Sequence, residues 1–225
     1  MRWIGLAFIG LGGLAVLLTL GFWQVTRLQW KAGLLNDIET RIAAAPVDLP
    51  ADPDPEADRY LPVEVSGRTT GTELHVLVST RQTGAGYRII APFETGARRI
   101  MVDLGVVPTT EKEPLRPAQR LSVAGNLHWP RESDRFTPDP ERDRNIWFAR
   151  DVDAMAEALG TEPLLIVARQ LEPAVPGVTP LPVTETNIPN DHLQYAITWF
   201  SIAALWAGMT VLLGWRMAGR TGRKA

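Results

Sequence analysis

Two long apolar stretches, one near each end of the chain, dominate its hydrophobic pattern. Residues 3–26 and 193–215 contain no charged side chain. A helix needs about 20 apolar residues to cross the roughly 30 Å hydrocarbon core of a bilayer, so either stretch is long enough to span one. The pattern therefore predicts two transmembrane helices, over residues 1–26 and 190–215, and places the residues between them outside the membrane.

The first helix is expected to continue past the membrane. Apolar residues recur at helical spacing as far as Ile42, which predicts a helical extension over residues 27–45 that ends before Pro46. The apolar run exceeds the roughly 7–15 residues usual in a cleavable signal peptide and leads into the bulky Trp23, so we expect a retained helix. Residues 47–58 are acidic and proline-rich, which is typical of a linker.

Short β patterns bounded by glycine and proline indicate a mostly β domain over residues 46–189. The predicted strands are residues 60–66, 74–79, 87–92, 99–107, 121–127 and 164–169. One short helix is predicted over residues 152–159, with Asp151 as its N-cap and Gly160 as its stop. Many short strands with one helix favour an α+β domain built as a small antiparallel barrel or a sandwich. This pattern does not determine the order of the strands.

The charges predict how the chain is oriented. All 25 acidic residues and 18 of the 23 basic residues lie between the two apolar stretches, which gives the middle a net charge of −7. Lysine and arginine beside membrane helices stay cytoplasmic, whereas a long loop is exported largely regardless of its charge. We therefore expect a multi-pass protein of the cell inner membrane, with both termini and the basic tail 216–225 in the cytoplasm and the central domain in the periplasm.

Composition also excludes several classes of function. The chain has no cysteine, so it has no thiolate metal site, no thiol redox motif and no covalent c-type haem. A net-acidic central domain lacks the basic surface of a nucleic-acid binder. No G-x-S-x-G motif supports a serine hydrolase, and we expect no catalytic residue. His75 and His128 lie in or near predicted strands, where a histidine is more often structural.

Candidate ligand chemistry is concentrated where the second apolar stretch begins. His192, Trp199 and Trp206 are spaced by seven residues and share one helix face, with Tyr195 beside them. Asn190 is a reasonable N-cap, which places His192 in the first helical turn. Aromatic residues and histidine also form belts at membrane interfaces without any ligand. Both a ligand site and an interfacial belt are consistent with these positions.

The first helix leaves the membrane on the side on which the second enters it. At about the depth of His192 and Tyr195 we therefore expect Trp23, Gln24, Arg27, Trp30 and Lys31. Trp23 and Trp30 are also seven residues apart, with Arg27 between them. A flat apolar ring with anionic tails would fit between two aromatic faces, and Arg27 and Lys31 would pair with carboxylate tails. The alternative is a cation–π and snorkelling arrangement with no ligand.

Several of these segments together resemble the Surfeit-one (Surf-one) family of cytochrome c oxidase assembly factors. Residues 21–31, Gly-Phe-Trp-Gln-Val-Thr-Arg-Leu-Gln-Trp-Lys, look like the family's Gly-x-Trp-Gln-x-x-Arg-x-x-Trp-Lys signature. Residues 60–67 are similar to its first strand and glycine, and residues 145–147 also fit. Residues 190–200, Asn-Asp-His-Leu-Gln-Tyr-Ala-Ile-Thr-Trp-Phe, are the most specific match. The resemblance covers nearly the whole chain.

The central domain departs from the family pattern at residues 102–108. The family usually carries Val-Asn-Arg-Gly-Trp-Val-Pro there, and this chain carries Val-Asp-Leu-Gly-Val-Val-Pro. Leu104 and Val106 stand at the arginine and tryptophan positions, while Gly105 and Pro108 are kept. The two substitutions raise the question whether this chain makes any partner contact at these positions.

The resemblance implies an assembly factor for the haem–copper (aa3-type cytochrome c) oxidase, and not an enzyme. It implies transient binding of haem a and its delivery into the catalytic subunit, with the only metal being the haem iron on its candidate axial ligand, His192. The other cofactor-binding candidates are Tyr195, Trp199, Trp23, Arg27, Trp30 and Lys31. Implied partners are the oxidase catalytic subunit and the haem a synthesis machinery, besides the lipid bilayer.

Two other classes of function are consistent with the sequence. One is a membrane scaffold that binds no haem and stabilises an early oxidase assembly intermediate. The other is an exported enzyme on two membrane anchors, which the lack of a nucleophile-and-base pattern disfavours.

Overall fold

The computed structural model describes residues 2–80, 84–113, 115–184 and 191–221. Its α-helices in these ranges are α1 (Arg2–Ala43), α2 (Val152–Leu159) and α3 (His192–Thr221). The chain divides into two compact units. The helical unit is Met1–Asp37 with Glu185–Ala225, and the central unit is Ile38–Thr184. The predicted fold class is confirmed, because two long apolar terminal helices flank a mostly β region with one short α-helix.

The two long helices of the helical unit are long and apolar enough to cross a membrane. Most of their large apolar side chains are exposed, including Phe8, Leu205 and Trp215. A helix from the core of a soluble protein would bury such side chains, whereas lipid tails can cover them. The backbone amide groups bond within each helix, which is what a segment in hydrocarbon requires.

The contact between α1 and α3 is antiparallel and uses small residues. A Cβ built on Gly13 would lie 2.7 Å from the ring of Trp206, and one built on Gly21 would lie 2.6 Å from the ring of Phe200. The indole nitrogen of Trp206 also donates to the carbonyl oxygen of Gly10 at 3.0 Å. Glycine therefore lets the two backbones approach closely, as is common between helices that pack in membranes.

The central unit is built on one seven-stranded sheet in the order β1-β2-β6-β7-β5-β4-β3. The strands are β1 (Val47–Asp48), β2 (Pro62–Thr69), β3 (Leu74–Thr80), β4 (Gly84–Thr95), β5 (Arg98–Pro108), β6 (Arg120–Leu127) and β7 (Leu165–Glu172). Strand β2 also pairs with β4 at Arg68–Glu94 and Thr69–Phe93. This pairing of two residues curls the sheet but is too short to make it a regular barrel.

The sheet is mixed, although the sequence favoured an antiparallel one. Strands β1 and β2 are parallel, and so are β5 and β7, while the other neighbours are antiparallel. Parallel neighbours need a connection of a dozen or more residues. The segment 109–164, which contains β6 and α2, separates β5 from β7 and supplies it. Patterns of short strands do not reveal such a crossover.

The segment 47–58, predicted to be a linker, begins with the two-residue strand β1. The last turn of α1, which belongs to the central unit, is also bound to the sheet. The carbonyl oxygen of Ile42 accepts from Nδ2 of Asn126 at 3.1 Å and from Nη1 of Arg169 at 2.9 Å. These two donors satisfy a carbonyl that a helix end would otherwise leave unpaired, and the guanidinium also suits the negative end of the helix dipole.

Apolar residues pack on both faces of the sheet. One cluster includes Phe93 and Ile100, and the other lies between the sheet and α2 and includes Met155 and Leu165. Neighbouring residues of β7 alternate between the two clusters because successive side chains of a strand point to opposite faces. Helix α2 has the predicted bounds, and the side chain of Asp151 accepts from the backbone N–H of Ala154.

Leu104 and Val106 lie inside β5 and are 1% and 2% exposed. The backbone of Val106 also exchanges hydrogen bonds with that of Thr179. Both side chains therefore fill the core of the central unit, where they cannot contact a partner protein. The two residues of this chain that depart from the family pattern are therefore core residues.

Candidate functional site

The candidate site lies in the helical unit, where α3 begins. His192 is the first residue of α3, and its Nδ1 lies 2.8 Å from Oε1 of Gln24 on α1. Gln24 is 8% exposed, although it lies within an apolar stretch. An amide oxygen only accepts hydrogen bonds, so Oε1 of Gln24 facing the ring favours the tautomer of His192 that carries its hydrogen on Nδ1. In the neutral ring, the lone pair is then on Nε2.

The residues that follow His192 extend this contact along α3. Ala196 and Ala203 are buried, and Phe200 packs edge-to-face on Phe22 with ring centroids 5.3 Å apart. Trp199 is half-buried, as expected for a residue on the same face as His192. Tyr195 is 55% exposed, so its ring lies at the side of the helix contact.

Trp23, Arg27 and Trp30 come together on a different face of α1. The guanidinium carbon of Arg27 lies 6.0 Å from the ring centroid of Trp23 and 5.1 Å from that of Trp30. The two tryptophans are 52% and 60% exposed. Arg27 therefore makes the cation–π contacts of the alternative arrangement that needs no ligand, and Lys31 follows one turn further along the helix.

The sequence suggested that the aromatic face of α1, with Trp23 and Trp30, would lie opposite that of α3. In the structure, Trp23 and Trp30 do not face α3. An α-helix turns by about 100° per residue, so Trp23 lies a quarter turn away from Gln24. Gly21 and Gln24, which are smaller or polar, take the positions that face α3. The structure thus brings His192 to Gln24, and it leaves Trp23 and Trp30 exposed beside this contact.

Reasoning from the sequence placed Gln24 at the depth of His192 but did not include it among the cofactor-binding candidates. The signal was present, since Gln24 is the one amide side chain in the uncharged stretch 3–26 and belongs to the signature at residues 21–31. A strongly polar side chain in a membrane helix is by default a candidate for function. Asn190, the predicted N-cap of the second helix, lies outside the described residues.

The other two histidines serve the packing of the central unit. His75 is fully buried, and its Nε2 lies 2.7 Å from Oε1 of Glu73, which also accepts from Arg116. His128 stacks on Tyr60 with ring centroids 5.4 Å apart. Burial, together with the charge of Arg150, lowers the pKa of His128 to about 4, so this ring is neutral near pH 7.

A buried ion cluster surrounds Asp103 on β5. Its Oδ2 accepts from Nη1 of Arg88 at 2.5 Å and from Nη1 of Arg150 at 3.5 Å. Arg150 also donates from Nε to both carboxylate oxygens of Glu132 at 3.1 Å. Burial alone would raise the pKa of Glu132, but the hydrogen bonds and charge of Arg150 hold it below its usual range. Each charge has a partner, so this cluster is structural.

No group of three histidine or carboxylate side chains that could hold a metal ion occurs among the described residues. His192 is a candidate metal ligand because of its position at the beginning of an apolar helix, and a single imidazole is the kind of ligand that a haem iron takes from a protein.

Comparison with known proteins identifies the family. The sequence model of the SURF1 family matches residues 11–204, which include both Gln24 and His192. The chain is 31% identical over 208 residues to Surfeit locus protein 1 of Rattus norvegicus, and this match covers 82% of this chain and 68% of that protein. The Homo sapiens protein of the same name is 31% identical over 210 residues, with 82% and 69% covered. A SURF1-like protein of Monosiga brevicollis is 32% identical over 231 residues, with 92% and 86% covered. Because the family match spans most of the chain, including both ends of the candidate site, this chain belongs to the SURF1 family.

Proposed function

We propose that this protein binds haem a transiently and helps to deliver it into the catalytic subunit of an aa3-type cytochrome c oxidase. Membership of the SURF1 family implies that the protein is an assembly factor for cytochrome c oxidase rather than an enzyme. The haem part is supported by one observation above all. His192 lies at the beginning of an apolar helix with its Nδ1 2.8 Å from Oε1 of Gln24, and with hydrogen on Nδ1 the ring would offer the Nε2 lone pair to a ligand bond.

The residues near His192 fit a haem. Neutral imidazole is a common iron ligand, and apolar side chains on the same helix suit a hydrophobic macrocycle. Tyr195 and Trp199 would contact its ring, together with the exposed faces of Trp23 and Trp30. Arg27 and Lys31 would pair with its carboxylate tails, because guanidinium and ammonium groups form strong hydrogen bonds with carboxylates.

In this proposal, the protein itself binds the haem, orients it and releases it. The redox chemistry that a bound haem supplies is its own, and the side chains around it set its orientation and electronic environment. The natural partners are the machinery that makes haem a and the oxidase subunit that receives it. Holding the haem at the end of a membrane helix pair keeps an apolar cofactor away from water during the transfer.

We further infer that both helices cross the cell inner membrane, with the termini in the cytoplasm and the central unit in the periplasm. This orientation is supported by the charge distribution, because every acidic residue lies between the two apolar stretches while five basic residues lie beyond them. A reporter enzyme fused after residue 225, compared with one inserted in the exposed loop at residues 134–137, tests it directly.

Purification of the full chain from cells with and without haem a synthesis tests the proposed function. The expected result is a chain that carries haem a, visible in its absorption spectrum, only from cells that make haem a. If the chain carries no haem from such cells and still associates with an early oxidase intermediate, the protein is a scaffold and the haem proposal is wrong.

A further inference from the structure

We propose that Gln24 is a positioning residue for His192, which holds the imidazole in its Nδ1–H tautomer and so presents Nε2 to an iron ligand bond. The part that concerns iron rests on the proposed function. The part that concerns the tautomer rests on the helix pair alone and is testable without haem.

The geometry of the contact favours one tautomer of His192. Oε1 of Gln24 is an acceptor and lies 2.8 Å from Nδ1 of His192, a normal hydrogen-bond distance. Gln24 is nearly inaccessible, so water cannot readily replace it as a partner. In a site of low polarity, an unpaired polar group is costly, which favours the ring form that satisfies this bond.

The packing of the two helices holds Gln24 in reach of His192. Gly21 precedes Gln24 by about one turn on the same face of α1, and a Cβ there would lie 2.6 Å from the ring of Phe200. Glycine at this position is therefore what allows α3 to approach closely. Ala196, one turn after His192, is likewise small and buried in the contact.

The chemistry of the acceptor has consequences for a bound haem. A hydrogen bond from the non-ligating nitrogen makes an imidazole a more basic ligand, and loss of such a partner typically weakens metal binding by about 10–100-fold. A neutral amide is a moderate acceptor, whereas a carboxylate is a stronger one. Gln24 therefore sets the strength of the bond from His192 as well as its direction.

The first experiment observes the tautomer in the full chain without haem. Nitrogen NMR of protein with ¹⁵N-labelled histidine in detergent reports which ring nitrogen carries hydrogen, and the chain has three histidines, so His192→Ala assigns the signal. We expect hydrogen on Nδ1 of His192 in the wild type, and a shift to Nε2–H in Gln24→Leu. Gln29→Leu is the matched control, because Gln29 lies exposed on the same helix, and it should leave the tautomer unchanged. A wild-type His192 with hydrogen on Nε2, or an unchanged tautomer in Gln24→Leu, overturns the proposal.

The second experiment adds haemin as the probe and measures affinity and midpoint potential. Gln24→Leu should weaken haemin binding by about 10–100-fold, while Gln29→Leu should not. Gln24→Glu should restore the Nδ1–H tautomer and lower the midpoint potential below that of the wild type, because a more basic ligand stabilises ferric iron.

The two experiments separate the two proposals. If the wild type binds haemin but Gln24→Leu leaves affinity and potential unchanged, Gln24 is not a positioning residue. If the tautomer depends on Gln24 but the wild type binds no haemin, the proposed function fails and the positioning of His192 stands. Circular dichroism of each variant verifies that both helices are retained.

Discussion

Nδ1 of His192 on α3 lies 2.8 Å from Oε1 of Gln24 on α1, and this bond is the polar contact at one end of the helix pair. At the other end, the indole N–H of Trp206 donates to the carbonyl oxygen of Gly10. Apolar and small residues fill the contact between these two bonds. Together the bonds fix the register of α1 against α3, because a shift by one residue would break both.

The first prediction concerns the glycines of α1. Gly13→Leu should destabilise the helix pair by about 1–3 kcal/mol, since its side chain would overlap the ring of Trp206. The adjacent Gly12→Leu is a matched control, because a Cβ at Gly12 meets nothing within 4 Å. Thermal unfolding in detergent, followed by tryptophan fluorescence, measures both. Equal stability of the two variants would contradict the packing described here.

The second prediction concerns the buried ion cluster of the central unit. Asp103→Asn should lower the free energy of unfolding by roughly 3 kcal/mol, because it leaves the buried guanidinium of Arg88 without a negative partner. This loss is at the low end of the roughly 3–5 kcal/mol expected when a buried ion pair loses one partner, because Glu132 still pairs with Arg150. Glu94→Gln, which breaks a surface pair with Arg68, should cost about 0–1 kcal/mol. Urea unfolding of the full chain in detergent tests the difference, and a similar loss in both variants would refute it.

The third prediction concerns pH. The pKa of His128 is about 4 in the folded protein and near 6.5 when unfolded, so between these values the unfolded chain binds more protons. Stability should therefore fall as the pH drops from 6.5 towards 4, with His128 contributing up to about 3 kcal/mol. His128→Phe keeps the ring beside Tyr60 but cannot titrate, so its stability should depend less on pH in this window. If the stability of the variant and that of the wild type fall equally between pH 6.5 and pH 4, His128 has no such role.

Much of this architecture follows from local patterns in the sequence. The lack of charge in two long stretches predicts α1 and α3, and alternation between apolar and polar residues predicts six of the strands to within a few residues. Asp151 and Gly160 predict α2 because caps act through the nearest backbone groups. These features depend on neighbouring residues, so they need no knowledge of the whole fold.

Other features depend on contacts between distant residues and were not predictable in this way. The parallel pairing of β5 with β7 results from a long crossover, and the two-residue strand β1 has too few residues for a pattern. In the candidate site, spacing by seven grouped Trp23 with Arg27 and Trp30 correctly. Spacing alone did not reveal that Gln24 is the residue of α1 that meets His192, since that depends on how closely Gly21 lets the helices approach.

The central claim is that His192 is the axial ligand of a transiently bound haem a, and the absorption spectrum of the purified protein tests it most directly. Wild-type protein and His192→Ala are purified from cells that make haem a, with Leu205→Ala as a control on an exposed part of α3. We predict that wild type and Leu205→Ala carry haem with the same spectrum, and that His192→Ala loses the haem or shows a shifted spectrum. Haem a that co-purifies with His192→Ala and has the wild-type spectrum would contradict the claim.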